Sequence, residues 1–327
     1  MNLNLNLIHL QNFIQIVEWG NISKAASVLN IAQPALSRQI KALEDTFGTS
    51  LLRRHTWGVE PTEAGKLVLD HARRIQKECV SAKESVQSNQ DNPTGTVYMG
   101  IPTAYAVSLV PPLLQRMQVQ YPNVKVHIVE AFSGTIYEWL VTGRLDLALL
   151  YYSKEHDAAA TTPYLDEDIV ALRGPGAFAA GSTVTLEELA GKQLIVPWRP
   201  HMFRLALETA FFSQGIPFEP HIEIDSMPCM KELARRGEGT TVLPPSTVTS
   251  ELELGLLSQA QVTPRVNLRT VLGQPMGRKP TRAVSLVIDE LERLVIELAP
   301  ETGWNVATEL LARAQKRPLK ISARPRR

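Results

Sequence analysis

The chain has 327 residues, 44% of them hydrophobic and 20% charged, enough apolar material for two or three cored domains. Its net charge of +1 neither marks nor excludes a nucleic-acid binder, because a local basic patch matters more than the sum. The opening MNLNLNLIHL has no basic start and no small-residue cleavage pattern, and no apolar run reaches the roughly 18 residues needed to span a bilayer, which speaks against a secreted or membrane protein and fits a reduced cytoplasmic compartment. Cys79 and Cys229 are too few and too far apart for a metal site; they read as inert thiols, with a redox pair as the alternative.

Residues 1–90 read as helices. Leu7, Leu10, Ile14 and Val17 recur at helical spacing, and Gly20-Asn21 stops that helix. Ser23 starts a short one carrying Ala25, Ala26 and Leu29. A third opens at Gln33 or Pro34, where a proline costs no hydrogen bond, with Leu36, Ile40, Leu43 and Phe47 as its buried stripe and Gly48 as its end. Residues 51–61 form a hairpin, and Thr62 opens a long helix. Its stripe of Leu67, Val68, Ala72, Ile75, Cys79, Ala82 and Val86 runs to about residue 88. Such a helix is about 40 Å long and needs a partner for its stripe. The polar, turn-rich segment 88–95 is a boundary.

From Thr96 the pattern alternates between strand and helix. Strands are expected at 96–101, 124–130 and 145–151, with helices at 107–121, Pro111-Pro112 near the first turn, and at 135–142. The pattern restarts with strands at 169–172, 193–197, 221–224, 240–243 and 266–272. Helices follow at 201–213, 227–236 and 281–298, and Thr185 with Glu188 gives a capping box. Two α/β lobes follow, with the chain crossing between them near 160 and again near 265–275. The last 17 residues carry seven Lys or Arg (Arg313, Lys316, Arg317, Lys320, Arg324, Arg326, Arg327) and no acid, and read as a structureless, solvated tail. The fold class is therefore multidomain. A winged helix-turn-helix covers 1–62, a linker and dimerisation helix with hinge 63–92, a two-lobed α/β domain of the periplasmic-binding-protein type 93–300, and a C-terminal segment with basic tail 301–327.

A helix-turn-helix puts the N-terminal end of its second helix in the major groove, where outward side chains meet base edges and phosphates. Those positions are Gln33, Ser37, Arg38 and Lys41, with Ala35 beside them and Ser23 on the preceding helix. Gln pairs with adenine, Arg with guanine, Ser with base or phosphate, and the Ala35 methyl suits thymine. Arg53, Arg54, His55 and Thr56 at the hairpin tip are within reach of phosphate or the minor groove. Residues 1–62 hold five Lys or Arg against four acids, so charge alone leaves a plain three-helix bundle equally open.

The string over 21–41 (NISKAASVLNIAQPALSRQIK), then Ala42-Leu43-Glu44, Phe47-Gly48, Leu51-Leu52-Arg53-Arg54 and Pro61-Thr62-Glu63-Ala64-Gly65, resembles the LysR-type transcription regulators. The likeness continues through Pro111-Pro112-Leu113-Leu114, Tyr121-Pro122 and Gly143-Arg144-Leu145-Asp146-Leu147-Ala148. The strings IAQPALSRQI and GVEPTEAGK are similar to the nitrogen-assimilation-control branch. The resemblance implies a DNA-binding regulator, a homodimer or homotetramer paired through the 62–88 helix, and pseudo-palindromic double-stranded DNA as its partner. A small-molecule effector would bind between the lobes, and RNA polymerase is a further candidate partner. Family DNA contacts map onto Gln33, Pro34, Ser37, Arg38 and Arg54. Leu52 stands where Phe is common, and the wing His55-Thr56-Trp57 is less basic than the family's.

In a two-lobed α/β domain a ligand meets strand C-termini and helix N-termini. The positions there are Thr103, Ala104, Ser133, Gly134 and Thr135 in the first lobe and Trp198, His201 and Met227 in the second, with Tyr105 and Phe203 as apolar lining. Each Ser or Thr has the alternative of a simple helix cap. No nucleophile elbow, P-loop, complete G-x-G-x-x-G or H-E-x-x-H occurs, so no enzyme, cofactor or metal is expected. A ligand-independent regulator and a solute-binding protein without a DNA role stay open as alternatives.

Overall fold

The computed structural model describes residues 5–87, 92–153 and 158–316. Contacts divide the chain into one unit of Met1–Asn89 with Val141–Arg144 and another of Gln90–Leu140 with Leu145–Arg327.

The first unit opens with α1 (Leu7–Trp19), α2 (Ile22–Leu29) and α3 (Gln33–Phe47). Helix α2 starts one residue before Ser23, because the Asn21 side chain accepts the Lys24 N–H and so caps it; Ser23 is exposed within its first turn. Gly20 and Asn30 close α1 and α2 in the left-handed region, at φ 61° and 54°. Leu36, Ile40 and Leu43 are buried with Leu10, Phe13, Ile16, Ala25 and Ala26, but Phe47 is 42% exposed, so the α3 stripe ends at Leu43. The hairpin is β1 (Leu52–His55) paired antiparallel with β2 (Gly58–Pro61). Helix α4 (Glu63–Gln87) follows. Its stripe divides. Ala72 is buried, and Val68 and Ile75 pack against this unit's core, as does Leu69, whereas Leu67, Cys79 and Ala82 face outward; Val86 lies outside the described side chains.

The Pro61-Thr62-Glu63-Ala64-Gly65 string at this hairpin's base has a physical role. Glu44 Oε1 accepts the Leu51 N–H at 2.9 Å, the Thr62 N–H donates to the Leu51 carbonyl, and the Thr62 hydroxyl donates to the Ser50 carbonyl and accepts the Gly65 N–H. Thr62 thereby caps α4 and ties it to the strand start. Gly65 sits so close that a Cβ there would lie 2.0 Å from the Leu51 carbonyl oxygen.

The second unit is two lobes. The first begins with β3 (Gly95–Ile101), α5 (Thr103–Gln120), β4 (Val124–Glu130), α6 (Ser133–Val141), β5 (Leu147–Tyr151) and β6 (Ala159–Asp168). The second comprises β7 (Val170–Arg173), β8 (Thr183–Thr185), α7 (Leu186–Ala190), β9 (Leu194–Val196), α8 (Met202–Ser213), β10 (Ile222–Glu223), α9 (Met227–Arg235) and β11 (Thr240–Leu243). A 3₁₀ turn (Pro245–Thr247), α10 (Thr249–Glu253) and β12 (Ser258–Thr263) complete it. The chain then returns through β13 (Asn267–Pro275), α11 (Arg282–Thr302), β14 (Asn305–Val306) and α12 (Thr308–Lys316). The sheets run β14-β6-β13-β5-β3-β4 and β10-β9-β11-β7-β12-β8. The crossings fall at Ile169 and at 264–266, not near 160, because β6 is a full strand of the first sheet.

Helix α5 starts at Thr103 rather than 107, which puts Pro111-Pro112 in its middle. A helix extends into the segment expected as a structureless tail. Residues 308–316 are helical, Arg313 Nε donates to Glu292 Oε1 at 3.1 Å, and β14 extends the first sheet through β6. The remaining tail cations from Arg317 onward lie outside the described residues.

Candidate functional site

On α3, Gln33, Pro34, Arg38 and Lys41 are exposed, and Ala35 and Ser37 are half-buried at its N-terminal end. No side chain caps α3, so its N-terminus keeps unsatisfied N–H groups that suit a phosphate. Asn12, buried on α1, donates to Gln39 Oε1 at 2.5 Å and so fixes the roll of α3. Lys41 is paired with Asp45 at 3.1 Å, and Arg53 with Glu60 at 3.2 Å. Among the described residues, Arg38 and Arg54 have no ion-pair partner. Thr56 is exposed at the hairpin tip.

In the second unit a cavity of about 350 Å³ is lined by Thr103, Ala104, Ser133, Gly134, Thr135, Trp198, His201 and Met227, together with Phe132, Glu138, Tyr151, Phe203 and Asp225. It is walled by both lobes: β3 and β4 lead into α5 and α6 on one side, and β9 and β10 lead into α8 and α9 on the other. All eight sequence-selected residues thus meet at one place. Tyr105 does not join them: it is fully buried behind the wall, with its hydroxyl 2.8 Å from Thr270 Oγ1.

The side chains differ in what they leave available. Ser133 Oγ accepts the Tyr151 N–H at 3.2 Å, so it anchors β5 as well as lining the cavity. His201 caps α8 by accepting the Phe203 N–H through Nδ1, which leaves Nε2 to carry the proton. Burial pushes its pKa down to about 4 against the pull of Asp225, so the ring is neutral at physiological pH. The ring also meets Phe132 edge-on at 4.9 Å and Phe203 at 4.5 Å. Arg199 is held by Glu208 at 2.9 Å, and Asp225 accepts the Trp198 N–H at 2.8 Å. The helix α5 N-terminus has no side-chain cap. Sequence reasoning missed Tyr151 and Glu138. Tyr151 closes the apolar β5 run, and a strand's C-terminal residue is where such cavities open; Glu138 carries no signal beyond its place one turn into α6. Among the described residues no group of three or more His, Cys, Asp or Glu could hold a metal ion.

A helix-turn-helix with a hairpin wing, joined in one chain to two lobes around a cavity, defines the class of ligand-responsive DNA-binding regulators. Residues 7–66 match the bacterial regulatory helix-turn-helix of the lysR family and residues 90–295 the LysR substrate binding domain, and the chain belongs to the LysR family. It is 34% identical over 247 residues to the nitrogen assimilation regulatory protein nac of Klebsiella aerogenes, covering 75% of this chain and 80% of that one. The Escherichia coli K12 counterpart is 31% identical over the same shares, which supports the nitrogen-assimilation branch. The fold matches a full-length OxyR from Pseudomonas aeruginosa with TM-score 0.73 at 22% identity, over 88% of this chain and 95% of that one. It also matches CbnR in complex with its target DNA, with TM-score 0.63 at 21% identity over 89% and 100%. The chain is a LysR-type DNA-binding transcription regulator with an effector-binding domain.

Proposed function

We propose that Gln33, Pro34, Ala35, Ser37 and Arg38 at the start of α3 read base edges in the major groove. Ser23, Lys41, Arg53, Arg54 and Thr56 hold flanking phosphates or the minor groove. Two chains pair through the outward face of α4, where Leu67 and Val80 stand 66% and 51% exposed, and present their heads to two half-sites. The linker boundaries of 63–92 follow from this reading, as does a place in the cytoplasm beside the DNA. The described helices include none long and apolar enough to cross a membrane. The role is binding, with no chemical step. Footprinting on the DNA upstream of its own gene tests this. A salt-sensitive stretch spanning two half-sites is expected, with Arg38→Ala losing about 1–3 kcal/mol of specific affinity. A single half-site would overturn the pairing, and unchanged affinity and specificity in Arg38→Ala would overturn its base contact.

An open cavity of about 350 Å³ between the two lobes carries the effector reading over a ligand-independent regulator. Its size is at the small end of ligand sites, and its walls mix aromatic and thioether side chains (Phe132, Tyr151, Trp198, Phe203, Met202, Met227) with hydroxyls and with Glu138, Asp225 and Arg199. The His201 Nε2–H, the hydroxyls and the N–H groups at the starts of α5 and α6 suit an acceptor, and the Glu138 carboxylate in the same wall suits a donor, on a small molecule with an apolar or aromatic body. The ligand acts by its differential affinity for two lobe arrangements. Compounds that raise the melting temperature of the wild-type chain are expected to lose that effect in Thr135→Trp, which fills the cavity. Retained stabilisation would put their site elsewhere.

A further inference from the structure

The wing carries a side chain that neither base reading nor phosphate neutralisation accounts for. Trp57 occupies the two-residue turn between His55 and Gly58 and is 80% exposed. Leaving an indole in water forfeits much of the stabilisation that burial of so large an apolar surface brings. The ring is nevertheless ordered by its neighbours. It stacks on His55 with centroids 4.7 Å apart and planes 3° from parallel. His55 Nε2 in turn lies 3.0 Å from Glu60 Oε1 on the opposite strand. The His55 imidazole, with Arg53 beside it, holds the Glu60 carboxyl below the ordinary carboxylate range. The turn end of β2 is fixed too: the Val59 N–H donates to the Gly20 carbonyl at 2.8 Å, and Gly58 lies where a Cβ would be 2.2 Å from that same oxygen. Arg53, Glu60, His55 and Trp57 thus form a braced line that ends in one open aromatic face, with Arg54 exposed on the same strand.

A rigid apolar plate flanked by guanidinium groups has the composition of a minor-groove contact, in which cations hold the phosphates and an apolar side chain presses on sugars or between base steps. We propose that Trp57 is a DNA-contacting wedge of the wing, adding affinity and duplex bending beside the stretch that α3 reads. The proposal rests on the DNA-binding reading of the first unit. Because the His55 stack and the Glu60 contact fix the ring before binding, little side-chain entropy is lost on docking. Because the indole neutralises no phosphate, its contribution is insensitive to salt, unlike that of Arg54.

The test uses the full-length protein and a duplex of the footprinted DNA, labelled at both ends so that bending changes energy transfer. Wild type, Trp57→Ala, Trp57→Phe and Arg54→Ala are titrated at several salt concentrations. Trp57→Ala is expected to bind about tenfold more weakly, the effect of one aromatic contact, with an unchanged slope of log affinity against log salt and less bending. Trp57→Phe recovers most of the loss, whereas Arg54→Ala flattens the slope. The exposed position leaves the melting temperature of the Trp57 variants at the wild-type value, so a loss of binding reports contact rather than unfolding. Trp57→Ala binding and bending like wild type would overturn the wedge while leaving the DNA reading intact. Wild type failing to protect any DNA would overturn both.

Discussion

Gly65→Ala is expected to abolish DNA binding while the two-lobed unit keeps its fold. The added Cβ would lie 2.0 Å from the Leu51 carbonyl oxygen, 3.0 Å from its carbon and 3.2 Å from the Pro61 Cβ. None of these is the end of a flexible side chain. The Leu51 carbonyl is already occupied by the Thr62 N–H at 3.0 Å, and Leu51 itself is fully buried. Relief therefore requires the first turn of α4 to move off the hairpin, breaking the Thr62 cap and exposing Leu51. Overpacking of this kind costs about 3 kcal/mol, a large share of the stability of a unit this small. For a domain of roughly 60–100 residues each kcal/mol moves the melting midpoint by about 4–8 °C. Circular dichroism melting is expected to show the transition of the first unit lowered by roughly 12–24 °C, and DNA titration to show no specific complex at 37 °C. A variant with wild-type melting and affinity would mean that α4 yields without cost, and the close approach would lose its role.

This contact also shows what the sequence did and did not disclose. The run Thr62-Glu63-Ala64-Gly65 is legible as a helix start, because Thr and Glu are cap and first-turn residues. That its glycine is required by the Leu51 carbonyl, fourteen residues earlier and just before β1, is a tertiary fact with no local signal. The same division holds elsewhere. Local chemistry located the Thr185 capping box and β11, both found where spacing put them. It misplaced the cap of α2, since Asn21 and Ser23 are both good capping residues and only the observed bond to the Lys24 N–H decides. Strand β6 was illegible for a physical reason. Its AATTPYLDED carries Pro163 and three acids, and it is tolerated only because the pairing with β13 shifts register between Thr270 and Val271. Phe47 reads as core by spacing, yet the helix ends there and the ring points outward. The eight cavity residues were legible because a two-lobed α/β fold brings strand ends and helix starts together whatever the ligand.

The second large effect concerns Glu167, which no motif singles out. It is 1% exposed on β6, next to the first crossing between lobes. Its Oε1 accepts the Ser246 N–H and its Oε2 the Ser246 hydroxyl, both at 2.9 Å, so it ties the first lobe to the 3₁₀ turn of the second. Burial pushes its pKa up from 4.5 to about 7, while the two bonds from Ser246 pull it back. A carboxyl with a raised folded pKa binds more protons folded than unfolded between those two values. Stability therefore falls as pH rises through that window and levels off above it. The loss amounts to about 3 kcal/mol, at 1.36 kcal/mol per unit. In Glu167→Gln the amide carbonyl keeps the Ser246 N–H and the amide N–H donates to the Ser246 hydroxyl, with no charge to bury. The variant is therefore expected to match wild type near pH 5 and to exceed it by about that amount at pH 8. Denaturant melts of both proteins at pH 5, 6, 7 and 8 measure the difference directly and cancel every other titrating group. Parallel stability curves would show that Glu167 ionises at no cost, and hence that water reaches the seam between the lobes. Convergence at low pH alone would show a neutral carboxylic acid as the tie between them, one that ionises only as pH rises past 7.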